Sequence, residues 1–192
     1  MKLMKSILIF GLLGLLFAAL SGAAEQAALK TGLQALPGAL PAGGVKDPAI
    51  DWNFNLAREK FYIFVPKNYS ADQPFGVLVF MDASEERSAV PPGWAKILEE
   101  KKLIFVAPQQ AGNSQPVSRR LGLAVLAAAK TLELAKLDTN RVYAAGLSGG
   151  ARVASSAAFL RPALFSGAIA VCGVNFPRQV PRVKATNKDD YG

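Results

Sequence analysis

The sequence predicts an α/β protein: a mostly parallel sheet covered by helices on both faces. Three observations lead there. Phe75–Met81, Leu103–Ala107, Arg141–Leu147 and Ser166–Cys172 are near-continuous apolar runs, as expected of strands buried on both faces rather than wet on one. Helical patterns alternate with these runs, which is the order of a parallel sheet built from crossover units. Between the third run and a small-residue helical segment lies Gly146-Leu-Ser-Gly-Gly150, a place where the chain must reverse sharply.

Taken in order, Met1-Lys-Leu-Met-Lys5 is basic, Ile7 to Leu20 is apolar, and Ser21-Gly-Ala-Ala24 is a run of small residues. That pattern is expected of a secretory signal peptide over residues 1–24. The apolar part is about 15 residues long, short of the roughly 20 that span a bilayer, so no stable membrane insertion is expected after cleavage. Secreted or periplasmic is the expected location. Residues 25–55, punctuated by Pro37-Gly38 and Pro41-Ala-Gly-Gly44, read as a linker or irregular lead-in. Residues 56–192 form the main domain.

Lys60-Phe-Tyr-Ile-Phe-Val-Pro66 is a β-rich run stopped by proline, and Asn68 to Asp72 is a turn. After the strand Phe75–Met81 comes the polar loop Asp82-Ala-Ser-Glu-Glu-Arg87, then a short helix from Pro92 to Glu100. Leu103–Ala107 ends at Pro108, and the polar loop Gln109–Gln115 leads into a helix expected over Val117–Leu137. Leu121, Ala124, Val125, Ala128, Leu132 and Ala135 give that helix an apolar stripe. Asp138-Thr-Asn140 reads as a turn, and a helix should follow the elbow as far as Leu160. Ser166–Cys172 reads as a fourth buried strand, with Cys172 a small buried hydrophobe.

Composition narrows the function classes. The net charge is +8, or +6 without Lys2 and Lys5. The basic residues are scattered, with no long run and no interleaved aromatic platform, so nucleic acid is not an expected partner. The single cysteine cannot form an internal disulfide. No metal ligand set or cofactor motif is present, so no cofactor is expected.

Gly-x-Ser-x-Gly between a strand and a helix is the pattern of a nucleophile elbow. Ser148 then stands at the carboxyl end of a central strand as a nucleophile, and the Gly149 backbone N–H, opening the helix, donates to an oxyanion. A second backbone donor is expected from the loop after the earlier strand, at Ala83 or Ser84. Three segments carry a resemblance: Lys60–Pro66, Arg141–Gly150 and Pro162–Gly173. Over roughly residues 58–175 the chain resembles secreted α/β-hydrolase esterases of the polyhydroxybutyrate-depolymerase-like and feruloyl-esterase-like kind. The resemblance implies a serine-dependent carboxylic-ester hydrolase acting on a small-molecule or polymeric ester. Those esterases usually carry His-Gly where this chain has Asp82-Ala83. Asp82 either caps the next segment or sets an opposing charge beside the oxyanion.

The 192 residues contain no histidine, and serine is a poor nucleophile without a positioned base. Asp138 lies at the far end of the elbow strand, about 20 Å from Ser148 at about 3.3 Å per residue. Asp189 and Asp190 follow the serine but stand in a polar stretch with no strand to hold them. Nothing places Lys130 or Lys136 at the elbow. Arg152, one helical turn past Ser148, contacts either an acidic substrate group or a surface carboxylate. The Ser166–Cys172 run lacks the charges or proline of a protected edge strand. The expectation is therefore a partial hydrolase domain over residues 56–192, its C-terminal strands, acid and histidine missing, and inactive as it stands. Two alternatives remain: a secreted non-catalytic hydrolase-like binding protein, and an unrelated α/β domain using the same glycines for a tight turn.

Overall fold

The computed structural model describes residues 29–36, 55, 57–135 and 137–176. The expected signal peptide, most of the lead-in, Lys136, Asp189 and Asp190 lie outside them. Six strands, β1 (Gly32–Gln34), β2 (Phe61–Phe64), β3 (Phe75–Met81), β4 (Leu103–Pro108), β5 (Leu137–Leu147) and β6 (Gly167–Val171), form one sheet in the order β1-β2-β4-β3-β5-β6. β4, β3, β5 and β6 run parallel, whereas β2 is antiparallel to both β1 and β4. Three helices connect the parallel strands: α1 (Trp94–Glu100), α2 (Val117–Leu134) and α3 (Gly149–Leu160).

The period of two along each strand divides the core between two faces. On β3, Phe75, Val77, Val79 and Met81 join α2 and α3 in the larger apolar cluster. Leu78 and Phe80 point the other way, with Phe105, Ala107 and Tyr62, and meet Leu98 and Trp94 of α1. Phe80 stacks on Phe105 at 5.5 Å and takes Trp94 edge-on at 5.5 Å. Helices on both faces leave β3 entirely buried, as its unbroken apolar sequence requires.

Four elements differ from the sequence reading. Within the expected lead-in, Gly32–Gln34 forms β1, whose carbonyl and N–H groups pair with Phe61–Ile63, and Leu36 is buried. Helix α2 stops at Leu134, because Ala135 is already extended (φ −142°, ψ 148°). Asp138–Asn140 belongs to β5 rather than to a turn. The Asp138 Oδ1 accepts the Asn140 N–H at 2.9 Å, and the β3–β5 register shifts between Phe75↔Leu137 and Val77↔Val142. Local Asx chemistry therefore makes an irregularity inside the strand instead of ending it.

The fourth difference is β6. Its residues are continuously apolar, yet from Ala168 to Val171 each is exposed, and so is Cys172, which takes φ 57° just past the strand. An apolar run marks a residue's preference for burial, but a neighbour must supply the cover. Among the described residues β6 pairs only with β5 and stands at the sheet's edge. Ile169 (49 % exposed) and Val171 (41 %) stand on this edge, and such unprotected strands template association. The expected outcome is concentration-dependent self-association of the isolated chain, which Ile169→Lys suppresses in sedimentation velocity. Identical sedimentation of parent and variant at every concentration would show that the edge is not the sticky surface.

Candidate active site

The turn from β5 to α3 is built by close main-chain approach. A Cβ at Gly146 would lie 2.5 Å from the Gly150 carbonyl atoms, and one at Gly150 would lie 2.1 Å from the Met81 oxygen. Only glycine lets the two sides of the turn touch each other and the end of β3. Ser148 sits at the apex as the N-cap of α3, at φ 53°, ψ −118°, a conformation costing a non-glycine residue about 1–3 kcal/mol. The surroundings hold it there. Its N–H donates to the Val171 oxygen at 2.8 Å, and its own carbonyl accepts the Arg152 N–H at 3.3 Å. Gly173 packs against that carbonyl, where a Cβ would approach to 2.6 Å. The Ser148 side chain is exposed.

Ser148 and Gly149 lie in a cleft of about 450 Å³, whose other walls are Asn113, Val117, Arg120, Arg152, Val153 and Asn175. The loops that leave the C-terminal ends of β4, β5 and β6 thus meet at it, the usual location of sites in open α/β sheets. Gly149 begins α3, where the first N–H groups of a helix lack intrahelical partners. Asn113 rests against Gly149: a Cβ there would lie 2.0 Å from its Oδ1.

The loop after β3 is fixed by charge. Asp82 is 8 % exposed; its Oδ2 is ion-paired to Arg87, with Nε at 2.6 Å, and its Oδ1 accepts the Ser84 N–H at 3.2 Å. The Arg87 guanidinium lies 4.9 Å from the Phe80 ring centroid. Asp82 therefore caps its own loop with its charge compensated. The Ser84 N–H is engaged by that carboxylate, while the Ala83 carbonyl accepts the Asn113 N–H at 2.9 Å. The Asp82 main chain abuts Gly150, with a Cβ there only 2.8 Å from its carbonyl carbon.

Glu85 joins this loop to the one after β4. It accepts the N–H groups of Gly112 (3.1 Å) and Ser114 (3.2 Å), the Ser114 hydroxyl and the Gln115 amide (3.2 Å). These bonds, the Ser114 hydroxyl foremost, hold its carboxyl below the ordinary value of 4.5 against a smaller upward push from burial. Arg120, 4 % exposed, clamps both loops, donating from Nε to the Ala111 oxygen at 2.8 Å and from Nη2 to the Asp82 oxygen at 3.0 Å. Burial lowers its pKa and the Glu85 charge opposes that shift; an arginine so placed stays charged at neutral pH.

Of the residues singled out in the sequence, Ser148, Gly149 and Arg152 line this cleft and Ala83 and Ser84 do not; Asn113, Arg120 and Asn175 line it without having been singled out. Asn113 stands in a polar loop directly after a buried strand, a signal that was available. Arg120 sits in an apolar helix and reveals itself only through burial. Asp138 is at the opposite end of β5, and Lys130 is buried on α2 with Glu133 as its ion-pair partner. Among the described residues no group of three or more His, Cys, Asp or Glu could hold a metal ion.

Two measurements test this geometry. Ser148→Gly should be more stable than Ser148→Ala by about 1 kcal/mol in urea unfolding, since glycine relieves the positive φ and alanine retains it. Equal stability would mean the apex is unstrained. For Glu85, a folded pKa below the unfolded one gives stability present above about pH 4.5 and lost as pH falls through the folded value. Glu85→Gln should therefore be less stable at neutral pH and show a shallower acid-induced loss. Parallel pH profiles for parent and variant would refute that role.

No protein-family model matches the sequence, and no curated protein matches it. Solved structures do. A prolyl endopeptidase matches with a TM-score of 0.50 and 12% identity, over 58% of this chain and 19% of that one. Oligopeptidase B from Leishmania major matches with a TM-score of 0.50 and 16% identity, over 58% and 18%. A thermostable esterase gives 0.47 and 23% identity, over 64% and 39%. The chain thus spans between 18% and 39% of the length of these structures. At such identities the likeness is one of fold, and that fold is the α/β-hydrolase fold.

Proposed function

We propose that this chain carries the nucleophile of a serine-dependent carboxylic-ester hydrolase. One observation carries the reading: an exposed serine at positive φ on a glycine-walled strand-to-helix turn, at the mouth of a cleft. Ser148 Oγ would attack the ester carbonyl, and the Gly149 N–H would receive the developing oxyanion. The second donor would come from the Ala83–Ser84 turn. The Ala83 N–H is the better candidate, because the Ser84 N–H already serves Asp82. The alcohol would leave with a proton, and water would then release the acyl group from Ser148.

A base must take the serine proton, and no histidine occurs in the 192 residues. In the reading proposed, the acid and the base come from polypeptide outside these residues, approaching along the free edge of β6. That edge is supported as the entry side by the Ser148 N–H bond to Val171. Residues 1–24 would direct export, to the exterior or the periplasm. Among the described residues no helix is long and apolar enough to cross a membrane. The second reading, a non-catalytic binding protein, is favoured by the absence of His, Lys, Asp and Glu among the described residues that line the cleft.

The 192-residue chain should hydrolyse p-nitrophenyl acetate no faster than its Ser148→Ala variant. Loss of a triad histidine lowers kcat by on the order of 10⁶ in the subtilisin case, so a serine-dependent rate well above background would refute the need for an outside base. The nucleotide sequence following the Gly192 codon separates the two readings. A continuing frame with an aspartate and then a histidine is expected for the esterase. A stop codon at that point in several independent isolates would favour the binding protein.

A further inference from the structure

We infer that the cleft recognises a carboxylate, so that its ligand is a monoanionic ester, and that Arg152 is the residue that reads the charge. The inference rests on the esterase reading only for which bond is cleaved; the anion recognition stands on the cleft itself.

The charges around the cleft do not balance. None of the described residues lining it is acidic, and two are arginines. Arg120 is accounted for: it is buried, donates to two carbonyls, and has the Glu85 charge acting on it. Arg152 is exposed, and no described carboxylate pairs with it. Asp82 cannot serve, being held by Arg87. Asp138 is at the other end of β5.

Arg152 is also placed for the task. Its N–H closes the first turn of α3 onto the Ser148 carbonyl, and its Cγ lies 3.4 Å from where a Cβ of Gly173 would stand. The stem is thus braced by the chain that passes over the elbow, which reduces the entropy lost when the guanidinium engages a ligand. Asn175, which also lines the cleft, is fixed as well. The Asn175 N–H donates to Ser155 Oγ at 2.9 Å and its Nδ2 to Ser156 Oγ at 3.0 Å. The positive end of the α3 dipole adds to the field of Arg152 over the same volume. One uncompensated positive charge matches a monoanion better than a phosphate dianion, and a planar carboxylate fits the guanidinium fork.

Titration of the intact chain with monomethyl succinate and with dimethyl succinate, at low salt and followed by NMR, isolates the charge. The two esters differ by one methyl group and one negative charge. The monoanion is expected to bind about tenfold or more tightly than the neutral ester. Arg152→Gln should erase that gap with an unchanged circular dichroism spectrum, and Arg152→Lys should keep part of it. Ser148→Ala should keep all of it, so failure of the nucleophile reading leaves this result standing. Equal affinities, no detectable binding of either ester, or a gap that survives Arg152→Gln would each overturn the inference.

Discussion

The structure depends on one contact between main chains: the end of β3 against the turn that joins β5 to α3. Gly146, Gly150 and the Met81 carbonyl meet at distances that no side chain allows. Because of that contact, the first turn of α3 sits beside the start of the loop leaving β3. If the turn were wider, the helix N-terminus and the Ala83–Ser84 loop would lie too far apart to share a ligand. The strain at Ser148 follows from the same compression. It is borne because β6 and Gly173 bond to and pack against the apex from the other side.

Around this contact the polar groups are arranged so that few are idle. Asp82 and Glu85 compensate the buried or half-buried cations, and Glu85 adds side-chain bonds to the main-chain bonds that already join the two loops. Arg120 reaches the main chain of both. A charge-assisted bond to a carbonyl in a water-poor site is stronger than a neutral one, so Arg120 stiffens these loops. Against that background, Arg152 and Ser148 stand apart as exposed residues that line the cleft. Groups that structure does not use are the ones left for a ligand.

β6 connects stability with function. It supplies the carbonyl that positions the elbow, yet among the described residues its outer edge has no partner strand and Ala168–Val171 are exposed. A strand in that condition is held by one ladder and by α3, so whatever covers it would also stiffen the serine. Completion of the sheet and completion of the site are thus physically coupled in the proposed esterase.

The sequence by itself determined the layers and the apex. Continuous apolar runs at Phe75–Met81 and Leu103–Ala107 can only be satisfied by cover on both faces, and Gly146, Ser148 and Gly150 at fixed spacing demand a compressed turn. Those are local constraints, carried by residues adjacent in the chain. Tertiary structure alone decided which apolar run would find cover: Ser166–Cys172 reads as buried, but its place at the edge of the sheet exposes it. It also decided the fate of Asp138–Asn140, where pairing with β3 overrode turn chemistry, and it drew Gly32–Gln34 into the sheet. The cleft walls were hidden for the same reason. Asn113, Arg120 and Asn175 come from separate elements, and the pairing of one charge with another depends on distances that sequence spacing does not encode.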